Sequence, residues 1–326
     1  MQQPENHDDA FKMRTATHWM EQASTRAVPR MLFDRFWYEG ELCILFADSN
    51  LGKSILAVQI GNAINTGTPI EGFAFEAEAQ PVLYCDFELT DKQFEARYSK
   101  DYDEHYSFRA DFFRAELNPD IELPGEFENF ETYLSYALER CILQSKAKVV
   151  IIDNLTYLRS ENEQAKDALS LMKHLKALKT RYNLSILALA HTPKRDLTLG
   201  ITRNDLQGSK MLMNFCDSAF AVGESQQDKS LRYLKQIKQR NTEQVYGADN
   251  VCLCQIIKPG NFLKYDFVSY GQEWEHLSKQ RGELPDEQIA KATELKLQGK
   301  SLREIGKEMG ISFQRVDRLL KAGVKD

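Results

Sequence analysis

Four apolar runs of strand length punctuate the first 190 residues, at 42–47, 81–87, 148–153 and 184–190, and a polar stretch breaks each of them. Segments with apolar positions at helical spacing lie between them, at 55–65, 126–145 and 167–182. The first of these is stopped by Thr66, Gly67, Thr68 and Pro69. Near-continuous apolar strands alternating with helices predict a parallel sheet with helices on both faces. Further strands are expected at 218–222, 231–238, 251–257 and 263–270, with turn residues between them, which predicts an antiparallel extension of that sheet. The charged, aromatic segment 91–124 yields only an edge strand at 111–117. Upstream, a short helix is expected at 16–22, and an aromatic stretch at 33–38 leads through Gly40 into the first strand.

The break after the first run carries chemistry. Ala47 is followed by Asp48, Ser49, Asn50 and Leu51, then by Gly52, Lys53 and Ser54, with Ile55 inside the helix. Strand, polar loop and helix with Gly-Lys-Ser at the turn form a phosphate cradle. Loop N–H groups and the helix N-terminus face an anion, Lys53 adds a point charge, and the Ser54 hydroxyl can ligate Mg²⁺. Residues 48–55 are therefore expected to hold a nucleotide. The pattern G-x-x-x-x-G-K-[ST] is met except at its first glycine, where Ala47 stands. Alanine is excluded there only if the backbone needs a positive φ, and Asn50 tolerates left-handed geometry better than most residues.

In parallel sheets ligands sit at the C-terminal strand ends. Glu88, Asp153 and His191 all fall at such ends. Phosphoryl transfer to water needs a cradle, a metal, a group that orients water and charge neutralisation. Asp153, after four aliphatic residues, fits a Mg²⁺ carboxylate alongside Ser54. Glu88 is the expected base. Asp86 competes with it, and a capping or ion-paired surface role is its bland alternative. His191 reads either as a γ-phosphate sensor or as a satisfied core histidine.

Composition narrows the rest. Of the 326 residues 42% are hydrophobic and 28% charged, as in a globular protein with room for one large α/β domain and a small one. A net charge of −6 provides no global basic field, so nucleic-acid contact would need local patches. No run reaches the roughly 18 apolar residues of a membrane span. The acidic start is unlike a signal peptide, and a cytoplasmic protein without membrane partners is expected. The six cysteines include no C-x-x-C pair and are expected to be buried, reduced thiols.

A polar segment at 1–28, a core at 29–270 and a polar linker at 271–285 precede a separate unit at 286–326. Helices are expected there at 286–298, from a capping box at Ser301 and Glu304, and at 313–321. This unit resembles a helix-turn-helix DNA-binding module through Ile305, Gly306, Met309, Gly310, Ile311 and Ser312. Gln314, Arg315 and Arg318 would then enter a major groove of duplex DNA. With nine Lys/Arg against seven Asp/Glu the unit is only mildly basic, and a helical protein-contact module is the alternative.

The phosphate loop, Glu88, and the strands ending in Asp153 and His191 together resemble the RecA-like P-loop ATPase fold. Within it, the resemblance is nearest to the branch of plasmid RepA-type and DnaB-type hexameric helicases. Gly208, Ser209 and Lys210 with Asp217 are similar to a further family segment. Residues 234–241 are similar to the strand that bears the family's Lys-x-Arg pair. The resemblance covers roughly 30–270. It implies ATP with Mg²⁺ held between subunits of a ring, a hexamer by analogy. Lys238 and Arg240 would reach a neighbour's γ-phosphate, although both could simply ride a solvent-facing strand. It also implies single-stranded DNA against the loops after the Asp153 and His191 strands, through Arg159, Lys194, Arg195 and Arg203. A DNA motor or helicase for replication or mobilisation of a genetic element is the function so implied. A non-translocating, ATP-dependent DNA-binding regulator is the alternative.

Overall fold

A computed structural model describes residues 11–118, 120–158, 165–207, 209–278 and 286–322. Nine strands form one mixed sheet. They are β1 Leu42–Ala47, β2 Val82–Asp86, β3 Phe112–Ala115, β4 Val149–Asp153, β5 Ser185–His191, β6 Ser218–Glu224, β7 Leu231–Lys238, β8 Val251–Ile257 and β9 Lys264–Gly271. The helices are α1 Ala16–Ser24, α2 Lys53–Thr66, α3 Asp91–Arg97, α4 Phe130–Ser145, α5 Ala165–Tyr182, α6 Ser209–Phe215, α7 Asp286–Leu297, α8 Leu302–Met309 and α9 Phe313–Ala322.

Across the sheet the order is β9-β8-β7-β6-β1-β5-β4-β2-β3. The six strands from β6 to β3 run parallel, and β7, β8 and β9 extend them antiparallel. This is the α/β architecture the hydrophobic pattern predicts. Every residue of β1, β2 and β4 is buried, which explains why those strands lack polar alternation. One face is covered by α2 together with Phe33, Phe36, Trp37 and Phe73, the other by α4, α5 and α6. Fully burying each large aliphatic side chain contributes about 1.5–3 kcal/mol. All six cysteines are free, and Cys141 alone of them is only half-buried.

Three local differences from the sequence reading have simple causes. Helix α4 begins after Asn129, whose Oδ1 accepts from Thr132 N at 2.9 Å, so the chain enters the helix later than its apolar spacing suggests. Helix α3 lies in a stretch that yields no helix on periodicity. It is opened by a capping box in which Thr90 and Gln93 exchange hydrogen bonds. The polar stretch after β9 is not all linker. Residues Glu273–His276 form a 3₁₀ turn in which Glu273 and His276 are buried. Residues 279–285 lie outside the described residues.

Helices α7, α8 and α9 bury Ala292, Leu295, Ile305, Val316 and Leu319 in a cluster of their own. Ser301 and Glu304 form the capping box of α8, and Gly310, at φ +66°, closes it. Gly306 is needed for close approach, because a Cβ there would lie 2.7 Å from the Ile311 carbonyl oxygen.

Candidate nucleotide site

β1 delivers the loop 48–52 to the C-terminal edge of the sheet, where it turns directly into α2. The turn is made by two left-handed residues, Asn50 at φ +63° and Gly52 at φ +87°. Ala47 ends β1 in ordinary strand conformation and pairs with Val222 and His191, so the missing first glycine meets no conformational demand. Gly52 caps α2 with no side-chain hydrogen bond, which leaves the helix N-terminus open to an anion. The loop is also held from behind. The Tyr265 hydroxyl of β9 donates to the Leu51 carbonyl, and Gln59 of α2 exchanges two hydrogen bonds with the Tyr265 backbone, at 2.9 and 2.8 Å.

Lys53 is buried and its ammonium donates to the carbonyls of Ala47 (3.0 Å) and Asp48 (3.1 Å). Its third donor faces His191 Nδ1 at 3.2 Å. Burial lowers its pKa, while Asp153, Glu88 and Asp48 draw it back up. All three donors are thus occupied by neighbours that a phosphate could replace.

Asp153 ends β4 opposite Asp86 of β2 and is buried. Tyr84 donates to its Oδ2 at 2.7 Å, whereas Oδ1 is buried with no hydrogen-bond partner. Burial pushes its pKa up to about 6. Ser54 beside it and Tyr84 pull the other way, Ser54 without completing a hydrogen bond to Oδ1. An orphaned carboxylate oxygen next to a hydroxyl suits a Mg²⁺ ion, which takes one or two protein oxygens and fills its shell with phosphate and water. Among the described residues no group of three His, Cys, Asp or Glu side chains could cage a metal without such help.

Glu88, just beyond β2, is about one-third exposed and faces His191 across the crevice, with Oε1 3.2 Å from Nε2. The hydrogen bond to His191 holds its pKa down, helped by His191, Lys53 and Arg97 and opposed by partial burial. Asp86 does not compete for this role. Arg114 pairs with its Oδ2 at 2.9 Å, and the backbone N–H groups of Glu88 and Leu89 donate to its Oδ1. It fixes the turn that aims Glu88.

Two residues of the crevice escape the sequence reading. Asn154, after Asp153, donates to Glu88 Oε1 and lies 3.0 Å from His191 Nε2. Arg97 at the end of α3 acts on Glu88, and its NH1 is buried without a partner. The capping box at Thr90 is the signal that places Arg97 in the last turn of a helix. Asn154 has no local signal.

The cations expected to touch DNA divide. Lys194 and Arg203 are exposed. The Arg195 side chain is only 6% exposed. Its Nε lies 3.5 Å from Asp48 Oδ2 and its NH1 donates to Leu199 O at 3.1 Å. Thr192 also donates to Asp48. Arg195 is therefore a strut between the phosphate loop and the segment after β5, not a free surface charge. Lys238 and Arg240 lie at the opposite end of the sheet, since Lys238 pairs with Ala219, which is level with Ile44. Lys238 donates to the Met213 and Cys216 carbonyls and caps α6, while Arg240, 49% exposed, rests 3.4 Å from Asp217. The side chains of Gln314, Arg315 and Arg318, and residue Arg159, lie outside the described residues.

A phosphate loop and the acidic and histidine strand ends, with one strand between β1 and β4, define a RecA-like P-loop ATPase fold. The chain belongs to the AAA domain family, whose match spans residues 8–196 and takes in the loop, Glu88, Asp153 and His191. ATP, ordinarily with Mg²⁺, is the ligand this membership implies. A similar solved structure is a KaiC-like protein from the hyperthermophilic archaeon Pyrococcus horikoshii. It is 13% identical with a TM-score of 0.47, over 71% of this chain and 91% of that one. No curated protein matches the sequence.

Proposed function

We propose that this protein is an ATP-hydrolysing, DNA-associated motor of the RepA/DnaB-type helicase branch, working as a ring. The observation that carries hydrolysis is the convergence of Lys53, Asp153, Glu88 and His191 at neighbouring strand ends around one crevice. Lys53 and the N-terminus of α2 would bind the β- and γ-phosphates. Ser54 and Asp153 would hold Mg²⁺, which would supply charge neutralisation for the departing diphosphate. Glu88 accepts a proton from the attacking water, and His191 reports whether a γ-phosphate is present. Lys194 and Arg203 would follow single-stranded DNA, and α7–α9 duplex DNA. Of the two cations proposed to act on a neighbour's nucleotide, Arg240 is the more exposed, and to reach it would have to leave Asp217 and the Asn214 carbonyl. Lys238 would first have to leave α6.

A non-translocating regulator is favoured by one observation. Burial of Arg195 leaves the segment after β5 with fewer free cations for a moving strand than its composition suggests. ATP turnover measured with and without single-stranded DNA separates the readings. The motor is expected to hydrolyse faster with DNA and to displace a strand from a forked duplex. Hydrolysis indifferent to single-stranded DNA, with duplex still bound, would establish the regulator instead. Lys53→Ala is expected to lower turnover to background, and undiminished turnover in that variant would refute both.

A further inference from the structure

Beyond the residues of cradle, metal and base, Asn154 is the crevice side chain that meets both Glu88 and His191. It is 1% exposed. Its Oδ1 accepts from Thr156 N at 2.8 Å, which sets the orientation of the amide and turns its NH₂ toward the crevice. That NH₂ donates to Glu88 Oε1. The Lys53 ammonium has only protons to give, so His191 Nδ1 accepts from it, and Nε2 carries the ring proton and donates to the same Glu88 Oε1. The 3.0 Å approach of Asn154 Nδ2 to His191 Nε2 is thus a meeting of two donors aimed at one acceptor. Oε2 of Glu88 receives no hydrogen bond among the described residues.

We propose that Asn154 is a positioning residue for hydrolysis. With His191 it occupies Oε1 of Glu88, so that Oε2 is the oxygen presented to the attacking water. This rests on the reading of Glu88 as the base. In the step so arranged, the water oxygen forms a bond to the γ-phosphorus and its proton passes to Oε2. The bond from the γ-phosphorus to the bridging oxygen breaks, and ADP leaves with that electron pair. The geometry also predicts a change in basicity. A neutral donor to the charged carboxylate favours the ionised form, so removing it raises the pKa of Glu88.

The competing explanation is that Asn154 merely holds the turn to Thr156. Asn154→Ser separates the two, because a serine oxygen can still accept from Thr156 N but cannot reach Glu88. The expected result for Asn154→Ser is a kcat lower by about 10- to 100-fold, as for loss of orientation at a general base. Its ATP KM and its affinity for a non-hydrolysable ATP analogue should stay within about two-fold, and the acid limb of its kcat–pH profile should move to higher pH. Asn154→Leu, which loses both contacts, should show the same kcat loss together with a lower melting temperature. A serine variant with wild-type kcat, or a fall in kcat with no movement of the acid limb, overturns the proposal. Glu88→Gln run alongside distinguishes the two failures. If it leaves turnover intact, the base reading itself is wrong. If it abolishes turnover while Asn154→Ser does not, only the positioning role fails.

Discussion

Asp153 illustrates how one buried oxygen can tie stability to ligand binding. Its folded pKa, about 6, lies above the ordinary carboxylate value, so the folded state favours the protonated form. The stability this contributes is fully present below the unfolded pKa and is lost as pH rises through about 6. Above that pH the buried carboxylate is destabilising until a cation shares Oδ1. Asp153→Asn is therefore expected to raise the melting temperature of the metal-free protein at pH 8 by about 2–6 °C, from roughly 1–2 kcal/mol. The gain should vanish at pH 5, and Mg²⁺-dependent hydrolysis should be lost. Thermal melts in chelator at the two pH values, with a turnover assay, check all three.

At the level of elements, the phosphate loop is shaped as much by the strands behind it as by its own residues. A Cβ on Gly52 would lie 2.7 Å from Ile256 Cδ1 and 3.1 Å from the Tyr265 hydroxyl, in a left-handed conformation that L-residues avoid. Gly52→Ala is expected to weaken nucleotide binding by about ten-fold or more, from roughly 1–2 kcal/mol of backbone strain added to the clash. Adding Ile256→Ala should restore only the part due to the clash, and titration with a fluorescent ATP analogue separates the two. The parallel strands, the loop, and the strand-end placement of Glu88, Asp153 and His191 were legible because apolar runs and the residues closing them lie together in sequence. Asn154 was not legible. Its role depends on Glu88, 66 residues away, and on His191, 37 residues away, meeting it across strands. Arg195 reads from sequence as a loop cation, and only the fold brings Asp48 to it. Helix α3 was hidden because its short span has no apolar period, although its capping box stood in plain view.

The whole molecule is tied at the end of the sheet opposite the nucleotide crevice by Glu41. Tyr38 N and the Ser218 hydroxyl donate to its Oε2, and Asn241 Nδ2 donates to its Oε1. Burial lifts its pKa to about 7, with the Ser218 and Tyr38 hydrogen bonds working against the rise. Its folded pKa is raised, so the stability contributed by the protonated form is lost as pH rises through about 7. The melting temperature is expected to decline across that range. Glu41→Gln should flatten the decline, because the Asn241 amide can turn to accept from the new NH₂. A second tie runs to the segment after β9. Glu273 accepts from Ile201 N at 2.7 Å and pairs with the buried Lys235, which also donates to the Ile201 carbonyl. This decides where the protein can be cut. A core fragment ending at Gly271, where the polar composition begins, would strip Lys235 of its counter-charge inside the fold, at a cost of about 3–5 kcal/mol. One ending at Ser278 keeps the pair, so the shorter fragment should melt well below the longer one, or fail to fold, for the loss of seven residues.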